Sequence, residues 1–114
     1  MLNIIVEFRK GILFVRLEGE LTKNTYHKLD EEVTTLIKEN GIRNVVFNIE
    51  NLTNIDMKGI SFLYYNYEIC NYNKGKIMVC GLKDEKIKTR IKNSHLLNYM
   101  YEISDELVAI DNFK

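Results

Sequence analysis

Apolar and polar residues alternate over residues 2–8 and 12–18, with Arg9-Lys10-Gly11 between the two runs. This period of two predicts a β-hairpin at the start of the chain. Gly19-Glu20-Leu21 then reads as a connection. From Asn24 to Asn40 the period lengthens: Leu29, Val33, Leu36 and Ile37 share one helical face, Asn24 is the expected N-cap, and Asn40-Gly41 is the stop. Residues 43–50 follow as a strand, and the run Val45-Val46-Phe47 asks for burial on both faces. A helix is predicted over about 57–73, closed by Asn73-Lys74-Gly75, and Lys76 to Gly81 is another apolar strand. Asp84 caps a third helix carrying Ile87 and Ile91, which breaks near Asn93-Ser94. Met100 to Ile103 is a short last strand, and Ser104-Asp105-Glu106 opens a final helix with Leu107 and Ile110 turned inward. The order β-β-α-β-α-β-α-β-α predicts an α/β fold: a mostly parallel sheet with one antiparallel hairpin, helices packed against it, and a single domain over residues 1–114.

Charge and composition narrow the function. With 16 basic and 16 acidic residues the formal net charge is zero, and the signs are interspersed. Nothing here attracts a nucleic acid or an anionic membrane by bulk electrostatics. The first residues carry Glu7 and no basic stretch, so they do not read as a secretion signal. No run approaches the roughly 18 apolar residues of a spanning helix, and no membrane insertion is expected. Cys70 and Cys80 lie inside apolar segments and read as buried reduced thiols, which points to the cytoplasm.

Enzymatic constellations are thin. His27 stands among Lys28 and Asp30 on a solvated helix face, and His95 precedes the Leu96-Leu97 turn. Neither has a cysteine or carboxylate at metal-binding spacing, and the glycines are scattered singly at turns. We therefore expect no catalytic residue, no metal and no cofactor.

The most informative stretch runs from Val45 to Phe62. An apolar strand passes through Asn51-Leu52-Thr53-Asn54-Ile55 to Asp56 and turns at once into a helix. A helix N-terminus presents free backbone N–H groups and the positive end of a dipole at one spot of surface. Asp56, Met57, Lys58 and Gly59 occupy that spot.

The element order, the segment Gly19-Glu20-Leu21-Thr22-Lys23-Asn24-Thr25, and the run Asn48-Ile49-Glu50-Asn51-Leu52 through Asp56 and Gly59 resemble the STAS domain. Within it, the chain is most similar to the bacterial anti-sigma factor antagonists of the sporulation type. The likeness covers essentially the whole chain, Ser94-His95-Leu96-Leu97 included. The resemblance implies a protein-interaction module whose partner is an anti-sigma factor with a histidine-kinase-like ATPase fold. In that family a serine directly after the aspartate is phosphorylated by the partner, which then releases the antagonist. Here Asp56 and Gly59 match the pattern, but Met57 stands at the phosphoserine position and Lys58 beside it. A thioether accepts no phosphoryl group, so the resemblance implies constitutive binding.

On this comparison Asp56 caps the helix, Met57 offers a flexible apolar contact, and Gly59 lets a partner backbone approach. Thr53 and Asn54 belong to the same candidate surface. Lys58 is either a solvated cation opposing the dipole or a group that meets an acid on the partner. Ser61, one turn past Met57, reads as a small packing residue rather than a substitute acceptor. The helix carries two apolar stripes: Ile60, Leu63, Tyr64, Tyr67 and Cys70 face the core, while Phe62, Tyr65, Ile69 and Tyr72 form a second row. We expect that second row to be an exposed aromatic strip available to a partner. The alternative to an antagonist is a scaffold STAS subunit of a larger regulatory or transporter-associated assembly, with a second copy of the chain as one candidate for its neighbour.

Overall fold

The computed structural model describes residues 1–113. Strands β1 (Leu2–Arg9) and β2 (Ile12–Leu21) form the hairpin. Helix α1 follows in three pieces: α-helical Tyr26–Leu29, a π-helical turn Asp30–Thr34, and α-helical Thr35–Asn40. Then come β3 (Asn44–Ile55), α2 (Met57–Tyr72), β4 (Lys76–Cys80), α3 (Glu85–Asn93), a 3-10 turn Leu96–Asn98, β5 (Tyr101–Ile103) and α4 (Glu106–Asn112). The five strands lie in the order β1-β2-β3-β4-β5. Only β1 and β2 run antiparallel. The α/β expectation holds, hairpin included.

Both faces of the central strands are buried, as Val45-Val46-Phe47 required. Val45 and Phe47 enter the main core with Leu13, Val15, Ile77 and Val79, under the inward residues of α1, α2 and α3. Val46 points the other way, into a smaller cluster with Ile12, Phe14, Met78, Cys80 and Ala109 of α4. Cys70 and Cys80 are free and buried, and burial pushes each thiol up to about 12.

Four local expectations change. The connection at 19–21 and the polar loop at 51–55 are strand: β2 runs on to Leu21 and β3 to Ile55, paired through Gly19–Leu52, Glu20–Asn54 and Leu21–Ile55. Two irregularities in that ladder, between Arg16 and Glu18 and between Gly19 and Glu20, hide the pairing from a period-of-two reading. The cap of α1 is Thr25 rather than Asn24. The Thr25 Oγ1 accepts from the Thr22 N–H at 2.9 Å and donates to the Glu20 carbonyl at 2.8 Å. Leu107 is 71% exposed, and α4 buries Ala109 instead, because Glu106 fixes its rotation.

Glu106 does so through Arg16, whose Nε and Nη2 donate to its two carboxylate oxygens at 2.9 and 2.7 Å. Asn48 Nδ2 donates to it as well, at 2.9 Å. The bond from Arg16 holds the Glu106 carboxyl below its ordinary 4.5 against the opposing effect of burial. A depressed carboxylate stabilises the fold above the unfolded value, and the contribution is lost as pH falls below 4.5 through the folded value. Urea titrations from neutral pH to about pH 3 should therefore show a falling midpoint that is shallower in Glu106→Gln. An identical pH profile in the variant would remove this coupling.

Candidate functional site

The corner between β3 and α2 is built around Asp56. Its Oδ1 accepts from the Gly59 N–H at 2.9 Å, which caps α2 as expected. Its Oδ2 accepts from the Lys23 N–H at 2.9 Å, and its own N–H donates to the Leu21 carbonyl at 3.3 Å. One carboxylate thus ties the helix start to the segment after β2. Burial pulls this carboxyl upward, but the N–H groups of Gly59, Lys23 and Lys58 outweigh it and hold it below 3.8.

Gly59 does a different job from the one expected of it. It is buried, and a Cβ there would lie 2.2 Å from the Leu21 carbonyl oxygen. The close approach that glycine permits is therefore internal, between α2 and the end of β2, and not to a partner. Thr53 is exposed and donates from its hydroxyl to the Gly19 carbonyl at 3.0 Å. Asn54 accepts from Arg90 Nη1 at 2.7 Å, and the same nitrogen donates to the Ile55 carbonyl at 2.7 Å. Arg90 of α3 so closes the far side of the corner.

Met57 is 68% exposed at this vertex. It stands in the wall of a cleft of about 520 Å³ whose other residues are Asn54, Asp56 and Ile60 on one side and Arg90, Asn93 and Ser94 on the other. A second hollow of about 290 Å³ continues from Met57, Ile60 and Ser94 along Ser61 and Tyr64 to Leu96 and Tyr99. Ser61 is exposed and lines this hollow, so it is not the packing residue expected. Tyr64 and Tyr67 are only half-buried, and they pack at the surface against Tyr99 at 5.0 and 5.4 Å between ring centres. The helix row at 57, 60–61 and 64 therefore faces a groove toward α3 and the 3-10 turn.

Lys58 and the second stripe lie on another side of α2. Lys58, Phe62, Tyr65 and Ile69 recur at steps of four and three, toward α1. The strip is less free than expected: Phe62, Tyr65 and Ile69 are half-buried, and only Tyr72 stands clear, at 88% exposure. Tyr26 of α1 packs on Phe62 at 4.5 Å, and Lys38 Nζ donates to the Tyr65 hydroxyl at 2.6 Å. Lys58 Nζ sits 4.8 Å over the Tyr26 ring and 5.6 Å from that of Phe62. A cation over aromatic rings at an exposed site gains about 0.5–1 kcal/mol. That offsets the roughly 0.3–1 kcal/mol it loses to the helix dipole. Lys58→Ala should then shift the unfolding free energy by less than about 0.5 kcal/mol in a urea titration; a loss above about 1.5 kcal/mol would mean the ring contact dominates.

Sequence reasoning missed three groups here. Arg90, Asn93 and Ser94 reach the corner only because α3 folds back across β3, for which no local signal exists. Tyr99 follows the same route. Asn66 was hidden because it falls among apolar residues: fully buried, it accepts from Thr34 Oγ1 at 3.1 Å and donates to the Phe62 carbonyl at 2.8 Å. Thr34 lies in the π-helical turn of α1. Among the described residues no group of histidine, cysteine, aspartate or glutamate side chains is arranged to hold a metal, and no helix is long and apolar enough to cross a membrane.

Known proteins resemble this geometry. The chain is 29% identical over 81 residues to the anti-sigma F factor antagonist of Paenibacillus polymyxa, covering 71% of this chain and 69% of that one. It is 29% identical over 83 residues to the anti-sigma-B factor antagonist of Staphylococcus aureus, covering 73% and 76%. The crystal structure of an anti-sigma factor antagonist from Mycobacterium paratuberculosis superposes with a TM-score of 0.82 at 16% identity, over 99% of this chain and 94% of that one. The family model for the STAS domain matches residues 3–109, from β1 into α4, and the chain belongs to that family.

Proposed function

We propose that the chain is an anti-sigma factor antagonist that docks on a kinase-type anti-sigma factor in the cytoplasm, releases a sigma factor, and is not switched by phosphorylation. The observation that carries this is Met57: a 68% exposed thioether at the start of α2, beside the carboxylate that caps it. A partner reading this corner meets a flexible apolar side chain flanked by the Arg90 groove. Thr53, Asn54, Asp56, Met57, Lys58, Phe62, Tyr65 and Ile69 remain the proposed contact set, with Met57, Asn54 and the Arg90–Ser94 wall at its centre. On this reading the chain acts by occupying the partner. Incubating it with the cognate anti-sigma factor and ATP should give a complex and no phosphate on the antagonist. Stoichiometric phosphate on the wild-type chain, at Ser61, Thr53 or elsewhere, would overturn the reading.

The missing hydroxyl also favours a second reading, a permanent scaffold subunit of a larger regulatory assembly. A permanent subunit should release its partner far more slowly than a transient antagonist, since affinity differences between related complexes lie mostly in the dissociation rate. Surface-based dissociation kinetics with the cognate partner separate the two.

A further inference from the structure

The sheet ends on one side in β1, whose outer backbone is unguarded. Glu20 donates its N–H to the Met1 carbonyl at 2.9 Å. Hydrogen-bonded and non-bonded pairs alternate along an antiparallel ladder. With Leu2 opposite Gly19, Ile4 opposite Leu17 and Val6 opposite Val15, the residues bonded to β2 are Asn3, Ile5, Glu7 and Arg9. Leu2, Ile4, Val6 and Phe8 therefore aim their N–H and C=O groups away from the sheet. Lys28 confirms the parity, since its Nζ donates to the Leu2 carbonyl at 2.8 Å from outside. That lysine protects the start of the edge. Beyond it, among the described residues, no group bonds the outward N–H or C=O of Ile4, Val6 or Phe8. The stretch has no proline, no lysine and no bulge; of the usual guards of an edge strand it carries two charges, Glu7 and Arg9, and Glu7 is engaged by Arg16 at 3.0 Å. Several of its side chains are apolar and open: Ile5 and Val6 are 44% exposed and Phe8 61%. The opposite edge, β5, is three residues long and offers no comparable template.

We propose that β1 pairs antiparallel with β1 of a second copy of this chain, with a two-fold axis through Val6. Only outward-pointing residues can bond across such a seam, so the allowed registers place even-numbered residues opposite one another. With Val6 opposite Val6 of the other copy, Ile4 meets Phe8 and Phe8 meets Ile4, which covers the most exposed apolar side chain of the edge. On the other face Ile5 lies opposite Glu7, and Asn3 opposite Arg9. No like charges face each other, and Glu7 keeps its ion pair with Arg16 at 3.0 Å. This register also leaves the Leu2 carbonyl with Lys28. A two-residue shift in the other direction would bond Leu2 to Phe8 and displace that lysine. The strand is thus its own complement, and the pairing leaves the Met57 corner free on each copy.

Sedimentation equilibrium over a rising concentration series should show a reversible dimer. In Val6→Lys two ammonium groups meet on the axis, and the dimer should weaken at least about tenfold, with the urea midpoint of the monomer unchanged. Hydrogen exchange tests the parity directly: the amides of Ile4, Val6 and Phe8 should become protected as concentration rises, while Ile5 and Glu7 are protected throughout. Bonded antiparallel pairs have Cα atoms about 5.5 Å apart, within disulfide reach. Val6→Cys should accordingly form a disulfide-linked dimer on mild oxidation, and Asn3→Cys should not. A monomer at every concentration overturns the proposal. So does a dimer that survives Val6→Lys with the even-numbered amides still exchanging freely; that outcome would move the interface elsewhere.

Discussion

Replacing Gly59 by alanine is expected to lower the unfolding free energy by about 2 kcal/mol, within the usual range for an overpacked site. In an ordinary helix the same change raises stability by up to about 1 kcal/mol. The sign reverses here because the new methyl would sit 2.2 Å from the Leu21 carbonyl oxygen and 2.9 Å from the Leu21 side chain. Backbone cannot swing aside as a flexible side-chain end can. The start of α2 would have to lift off β2, pulling Asp56 from the Lys23 and Gly59 N–H groups it holds at 2.9 Å. Urea unfolding measures the loss, and partner binding should weaken with it. An alanine at 59 that stabilises the protein would show that the helix start is free to move.

Met57→Glu is expected to weaken binding to the cognate anti-sigma factor by about 100-fold, roughly 2.7 kcal/mol. The corner would then carry a fixed charge in place of an apolar side chain, and on the proposed docking mode the carboxylate would have to be desolvated. Folding should not suffer. An acid in the first turn of α2 gains about 0.3–1 kcal/mol from the dipole, so the variant should be as stable as the wild type or slightly more. Isothermal titration against the partner, with urea unfolding alongside, separates the two effects. Unchanged affinity would place the interface away from this vertex. The companion variant Met57→Ser should accept phosphate from the partner if the corner still fits its active site, and should then dissociate.

How the site was legible differs residue by residue. Asp56 could be read as a cap because its effect is local: three residues of sequence place its carboxylate over the Gly59 N–H. Met57 could be read as exposed because the first position of a helix faces out of the dipole end. The outcome for Gly59 was invisible, since what it touches is Leu21, thirty-eight positions earlier. The aromatic strip was misjudged for a similar reason. Helical spacing shows that Phe62 and Tyr65 share a row, but only the position of α1 reveals that Tyr26 and Lys38 lean on it. Leu107 was assigned inward by hydrophobicity alone, and a bidentate ion pair from Arg16 to Glu106 set the rotation of α4 otherwise.

The element order, the hairpin, the two-sided burial of β3 and the capped turn from β3 into α2 could all be read from the amino-acid sequence. Each of these depends on hydrophobic period or on contacts within a few residues, which a single chain segment carries. Which face of α2 meets the groove, how Arg90 and Ser94 close it, and which backbone groups of β1 point outward emerged only from the packed fold. Those depend on how a strand or helix is rotated against its neighbours. Distant side chains and ladder parity set that rotation, and no local pattern encodes it.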